Sequence, residues 1–203
     1  MNSYDFTLKF RLNSPEESAG KYVRLLEKNG CDDALVGIGK LGRISLNFTR
    51  EATSALEAIT SAIQDVRKSI PGALLVEATP DFVGITDIAD IYGSSRQYIR
   101  KVVCSQTASF PEPVYEGNPS LWHLADVLDW MTIHDPRRLD KQLLEVSQLN
   151  RQINLYRTCL KVSVPVLSNL RGDADVPEKA MEWDHFFRSV FGYSANTTPS
   201  GQR

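Results

Sequence analysis

An α+β fold is predicted for this 203-residue chain from three patterns. Tyr4, Phe6, Leu8, Phe10 and Leu12 alternate with polar residues, the period of a half-buried strand. Leu56, Ile59, Ile63, Val66 and Ile70 recur at helical spacing before Pro71 and Gly72. Leu139, Val146, Ile153 and Leu160 fall seven apart, and Gln142, Leu149 and Tyr156 stand three residues after the first three of them. The first two patterns belong to a mixed sandwich over residues 1–80 and the third to a long helix over residues 136–165.

Within the first eighty residues, Ser14 caps a helix with Pro15 at its first position and Glu16 and Glu17 at its positive end. Ala19, Val23 and Leu26 supply its apolar stripe, and Asn29 and Gly30 stop it. Strands are expected over 34–38 and 44–48, a helix over 54–69 and a fourth strand over 73–78. The order βαββαβ is that of a ferredoxin-like sandwich, with two helices on one face of an antiparallel sheet. Such an architecture serves many functions and selects none. Residues 37–42 spell GIGKLG, a literal match to the dinucleotide fingerprint, but RISLNF alternates after them as a strand, whereas the fingerprint must open a helix. Residues 39–43 therefore read as a hairpin turn, with Lys40 and Arg43 either solvated there or touching a nucleic-acid backbone.

Between Gly84 and Val103, Ala89, Gly93, Ile99 and Val102 have the spacing of two short helices folded on each other. Thr86 is placed to cap the first helix, Gly93 supplies a positive φ in the turn, and Ser94 or Ser95 caps the second. Ser95, Arg96, Gln97, Arg100 and Lys101 then face outward. Arginine pairs with guanine and glutamine with adenine in the major groove, while a lysine suits a phosphate. A plain helical hairpin with a solvated basic face has the same spacing.

The next twenty-odd residues extend the motif. Residues 110–115 carry Pro111 and Pro113, as an edge strand tolerates; residues 116–120 form a loop tip, and Leu121 and Trp122 return as a second strand. Leu124, Val127, Leu128 and Met131 close the unit with a helix. On these residues, and on HLADVLDW at 123–130, the segment 81–131 resembles the winged helix-turn-helix of the MerR and phage excisionase type. The resemblance implies major-groove reading by Ser95, Arg96, Gln97 and Arg100, with the wing, including Asn118 and Ser120, tracking the backbone or minor groove. Family wings are usually basic, and this one carries Glu116 and no basic residue. His123, just before the closing helix, is read either as a phosphate contact or as a water-exposed neighbour of the helix start.

Charge narrows the reading. Residues 81–135 hold three basic side chains against eight acidic ones, the whole chain has a net charge of −2, and its pI is near 5.9. All three basic residues fall on the second helix of the motif, so a locally basic face on an acidic protein is expected. The heptad residues Leu139, Val146, Leu149, Ile153, Tyr156 and Leu160 are expected to form a homodimer seam, with Gln142 as a polar register position and packing within one chain as the other solution. Residues 166–193 read as a linker and a short aromatic helix, either docked on its own protein or anchoring a partner, and residues 194–203 as a disordered tail.

Other classes are poorly supported. The three histidines lie far apart, no HExxH, GxSxG or P-loop occurs, and Asp32 and Asp33 read as solvated loop residues, so neither an enzyme nor a metal or cofactor site is expected. Three cysteines without CxxC spacing argue against a disulfide framework. Without a signal-like or membrane-spanning segment, a cytoplasmic location is expected. The leading expectation is a dimeric regulator of bacterial or phage type that binds double-stranded DNA. The alternative is a protein-interaction adaptor whose winged helix does not bind DNA.

Overall fold

The computed structural model describes residues 1–106, 108–134 and 140–159. It is α+β, and residues 1–154 form one compact unit. Its first half contains β1 (Asn2–Arg11), α1 (Val23–Lys28), β2 (Ala34–Gly37), β3 (Arg43–Ala52), α2 (Ala55–Ser69) and β4 (Leu74–Thr79). The sheet is antiparallel in the order β2-β3-β1-β4, with Phe6 opposite Phe48 and Leu8 opposite Leu46. Tyr4, Phe6, Leu8 and Phe10 are buried beneath the helices, as their alternation requires, and the rings of Phe6 and Phe48 stack with centroids 5.2 Å apart. Ser54 caps α2 by accepting from the Glu57 N–H, and Ile59, Ile63 and Val66 are fully buried.

The first helix departs from expectation. A 3₁₀ turn at Ala19–Tyr22, capped by Ser18, precedes α1, and Ser14 starts no helix. The Ser14 hydroxyl accepts from the N–H of Glu16, only two residues on, and the Glu17 carbonyl accepts from the N–H of Gly42 at 2.8 Å. Local side-chain bonding and a tertiary contact thus take up groups that a helical ladder needs. Asp33 is also not a simple solvated loop residue. It pairs with Arg50 at 2.7 Å, and the same guanidinium reaches Asp65 at 2.9 Å. Burial opposes the Arg50 charge, but these carboxylates outweigh it and hold its pKa above the ordinary value.

The second half contains β5 (Phe82–Val83), α3 (Ile85–Ile91), α4 (Arg96–Ser105), β6 (Trp122–His123) and α5 (Leu124–His134). Val83, Ile88, Ile99, Phe110, Trp122, Leu124, Val127 and Leu128 form its core. Strand β5 pairs with β6, and Tyr115 bridges Leu121, so the chain between α4 and α5 makes a narrow antiparallel loop.

Helix α6 (Lys141–Cys159) packs three of the six expected seam residues within its own chain. Val146, Leu149 and Ile153 are 0, 7 and 2% exposed within a single chain, so they cannot also face a second copy. On the same helix, Asn154 accepts from the Ala78 N–H at 3.0 Å and donates to the Ala78 carbonyl at 2.8 Å, satisfying the open edge of β4. Asn150 donates to the Pro80 carbonyl, and Leu143 and Leu144 pack on the second core. Gln142 and Tyr156 are half-buried; Leu139, Leu160 and the expected linker, aromatic helix and tail over 166–203 lie outside the described residues.

Candidate nucleic-acid interface

Two short helices and a tight turn position the candidate site. Gly93 has φ +61° and closes α3, with its N–H donating to the Asp90 carbonyl. Ser95, in extended conformation, then caps α4 by accepting from the Tyr98 N–H at 3.1 Å. Thr86 is not the cap of α3, because the helix begins one residue before it. Gly84 is the cap position, and its N–H donates to the Asp87 carboxylate at 2.7 Å.

On α4 only Ile99 is buried, 2% exposed in the core shared with α3 and α5, while Val102 is half-buried beside it. This fixes the rotation of the helix. Ser95, Arg96, Gln97, Arg100 and Lys101 are all exposed, and among the described residues none of the three cations is engaged in an ion pair. From Arg96 to Lys101 the face rises roughly 7.5 Å, about two base-pair steps along a groove. Tyr98, 48% exposed and stacked on Tyr92 at 6.3 Å, belongs to the same helix and was not singled out by the sequence pattern. An aromatic residue between the basic ones was the available signal.

The acidic residues of this half are largely engaged elsewhere. Asp81 bonds His123, Asp87 caps α3, Asp126 pairs with Arg151, and Asp129 accepts from Gln148. Asp90, Glu112 and Glu116 remain exposed. The narrow loop corresponding to the expected wing presents Asn118 and Glu116 to solvent, whereas Ser120 is half-buried and donates its hydroxyl to the Gly117 carbonyl at 3.1 Å.

His123 does not join the face. It is 5% exposed, and its Nδ1 lies 2.6 Å from the Asp81 carboxylate, which also accepts from Asn154. A phosphate cannot reach the ring, so both the phosphate and the solvent readings give way to a structural one. Among the described residues no group of metal-ligating side chains assembles, and no helix is long and apolar enough to cross a membrane. Compared with protein families, curated proteins and solved structures, the chain has no match.

Proposed function

We propose that the chain binds double-stranded DNA sequence-specifically, with α4 in the major groove, and acts as a transcriptional regulator. The observation that carries this is the exposed row Arg96, Gln97, Arg100 and Lys101 on a helix fixed in rotation by Ile99. Base reading needs donors on a rigid element, and phosphate binding needs cations not already neutralised. In this reading residues 81–131 are a winged helix-turn-helix and residues 1–80 a ferredoxin-like sandwich, the latter supported by the sheet order β2-β3-β1-β4. The wing contributes little, since Glu116 repels phosphate and the Ser120 hydroxyl is already bonded. A two-fold complex on a palindrome requires a surface other than Val146, Leu149 and Ile153.

The test is retention of fragmented genomic DNA by the purified full chain, followed by sequencing of the bound fraction. Selective retention, including of DNA upstream of its own gene, is expected for the wild type and is lost in Arg96→Ala at unchanged thermal stability. Retention that persists in Arg96→Ala refutes the assignment of α4, and absence of any retained DNA favours the adaptor.

A further inference from the structure

The open face of the first sheet carries an unbalanced charge at one end. Arg11 on β1 and Arg43 on β3 are direct cross-strand partners, and both are exposed. Like charges in this relationship destabilise a strand pair. Two residues along β1, Lys9 is neutralised by Glu77 at 2.9 Å, but no described carboxylate forms an ion pair with Arg11 or Arg43. Lys40, in the turn between β2 and β3, adds a third cation, and together the three line a cleft of about 530 Å³ with no acidic residue among its described lining. Glu17, close by in sequence, is held by Lys21 and Tyr22.

The cleft is built in advance of any ligand. The Leu12 N–H donates to the Gly42 carbonyl at 2.9 Å, the Gly42 N–H to the Glu17 carbonyl at 2.8 Å, and Asn13 to the Pro71 carbonyl at 2.9 Å, which locks three loops together. Gly42 has φ +69°, and a Cβ there would lie 2.6 Å from the Pro15 Cα, so the close approach requires glycine. Leu41 and Leu74, 60 and 37% exposed, supply apolar wall beside the cations. Such a volume suits a small organic molecule far better than a bare anion.

We propose that this cleft binds a nucleotide, its phosphates between Arg11, Lys40 and Arg43 and its base against Leu41 and Leu74. Arginine forks and a lysine point charge are the side chains that recognise phosphate, and here they stand together with no described carboxylate paired to them. The site does not use a glycine fingerprint, because GIGKLG leads into β3 rather than a helix. It is independent of α4 and would give the first half of the chain an effector.

Calorimetric titration of the full chain with ATP, with GTP and with pyrophosphate tests the proposal, using a short DNA duplex as competitor. At least one nucleotide is expected to bind, with pyrophosphate about tenfold weaker, and Arg11→Ala and Arg43→Ala each weakening the nucleotide about tenfold, one charge-assisted contact's worth. Arg96→Ala leaves this binding unchanged, which separates it from failure of the DNA reading. Thermal melting checks folding, and Lys40→Ala, in an exposed turn, serves as a further variant should an arginine substitution impair it. Binding of neither nucleotide, affinity unchanged in all three variants, pyrophosphate as tight as the nucleotide, or displacement of the nucleotide by the duplex would overturn the proposal.

Discussion

His123 and Asp81 form a buried pair, with the imidazole Nδ1 2.6 Å from one carboxylate oxygen while Asn154 donates to the other at 2.7 Å. The Asp81 carbonyl additionally accepts from the Leu124 N–H at 2.6 Å. One aspartate, just before β5, thereby ties β6, the start of α5 and the C-terminal half of α6 together. Removing one partner leaves buried polar groups unsatisfied, so His123→Ala is expected to destabilise the protein by about 2–4 kcal/mol in urea unfolding. A change within about 0.5 kcal/mol, typical of exposed sites, would contradict the burial.

Salt dependence checks the proposed α4 interface. If Lys101 neutralises a phosphate while Arg96 and Arg100 reach base edges, log K falls linearly with log salt and Lys101→Ala makes the slope shallower by about 0.9. Lys101→Ala should weaken binding evenly across DNA sequences, whereas Arg100→Ala should also relax selectivity. A slope unchanged in Lys101→Ala places that side chain away from the backbone.

Helix α6 is a structural part of its own chain. Ile153→Ala should therefore cost about 2–5 kcal/mol, as cavity-forming core substitutions do. The loss should be the same at low and high protein concentration. A loss that disappears on dilution would return Ile153 to an intermolecular seam.

The cysteines divide by environment. Cys31 is 2% exposed, and burial, assisted by Asp65, pushes its thiol up to about 12, whereas Cys104 and Cys159 are exposed. At mildly alkaline pH a thiol reagent should modify Cys104 and Cys159 rapidly and Cys31 only after unfolding. Rapid modification of all three without denaturant would refute the buried setting.

Acid sensitivity has an identifiable source at the loop before α1. Lys21 and then Tyr22 hydrogen-bond Glu17 and hold its carboxyl near 2, below the ordinary 4.5. Because the folded pKa is the lower one, its contribution is present above pH 4.5 and lost as pH falls toward 2. Glu17→Gln should make unfolding stability less dependent on pH across that window. An identical acid profile in the variant would remove Glu17 as the source.

Much of the fold is legible from local pattern. Period-two alternation located β1 and β3, helical spacing ended by Pro71 and Gly72 located α2, and Gly93 followed by Ser95 located the turn into α4. The exposed row on α4 was readable because it is the complement of Ile99 and Val102 on one short helix. Arg50 was not readable: its partners Asp33, Asp65 and Gly30 gather only when β3, α2 and the loop after α1 meet.

By itself, then, the sequence determined most of the elements, though not the start of the first helix, and the outward face of α4, since periodicity, capping and positive-φ glycine act within a few residues. Tertiary structure alone decided the fate of His123, of the heptad face and of the Arg11, Lys40 and Arg43 cluster. Apolar spacing says that a helix face must be covered but not by what, and a polar residue shows no partner until a distant strand edge or carboxylate is brought beside it. Asn154 on the edge of β4 and Asp81 against His123 are such meetings, made across 76 and 42 residues of chain.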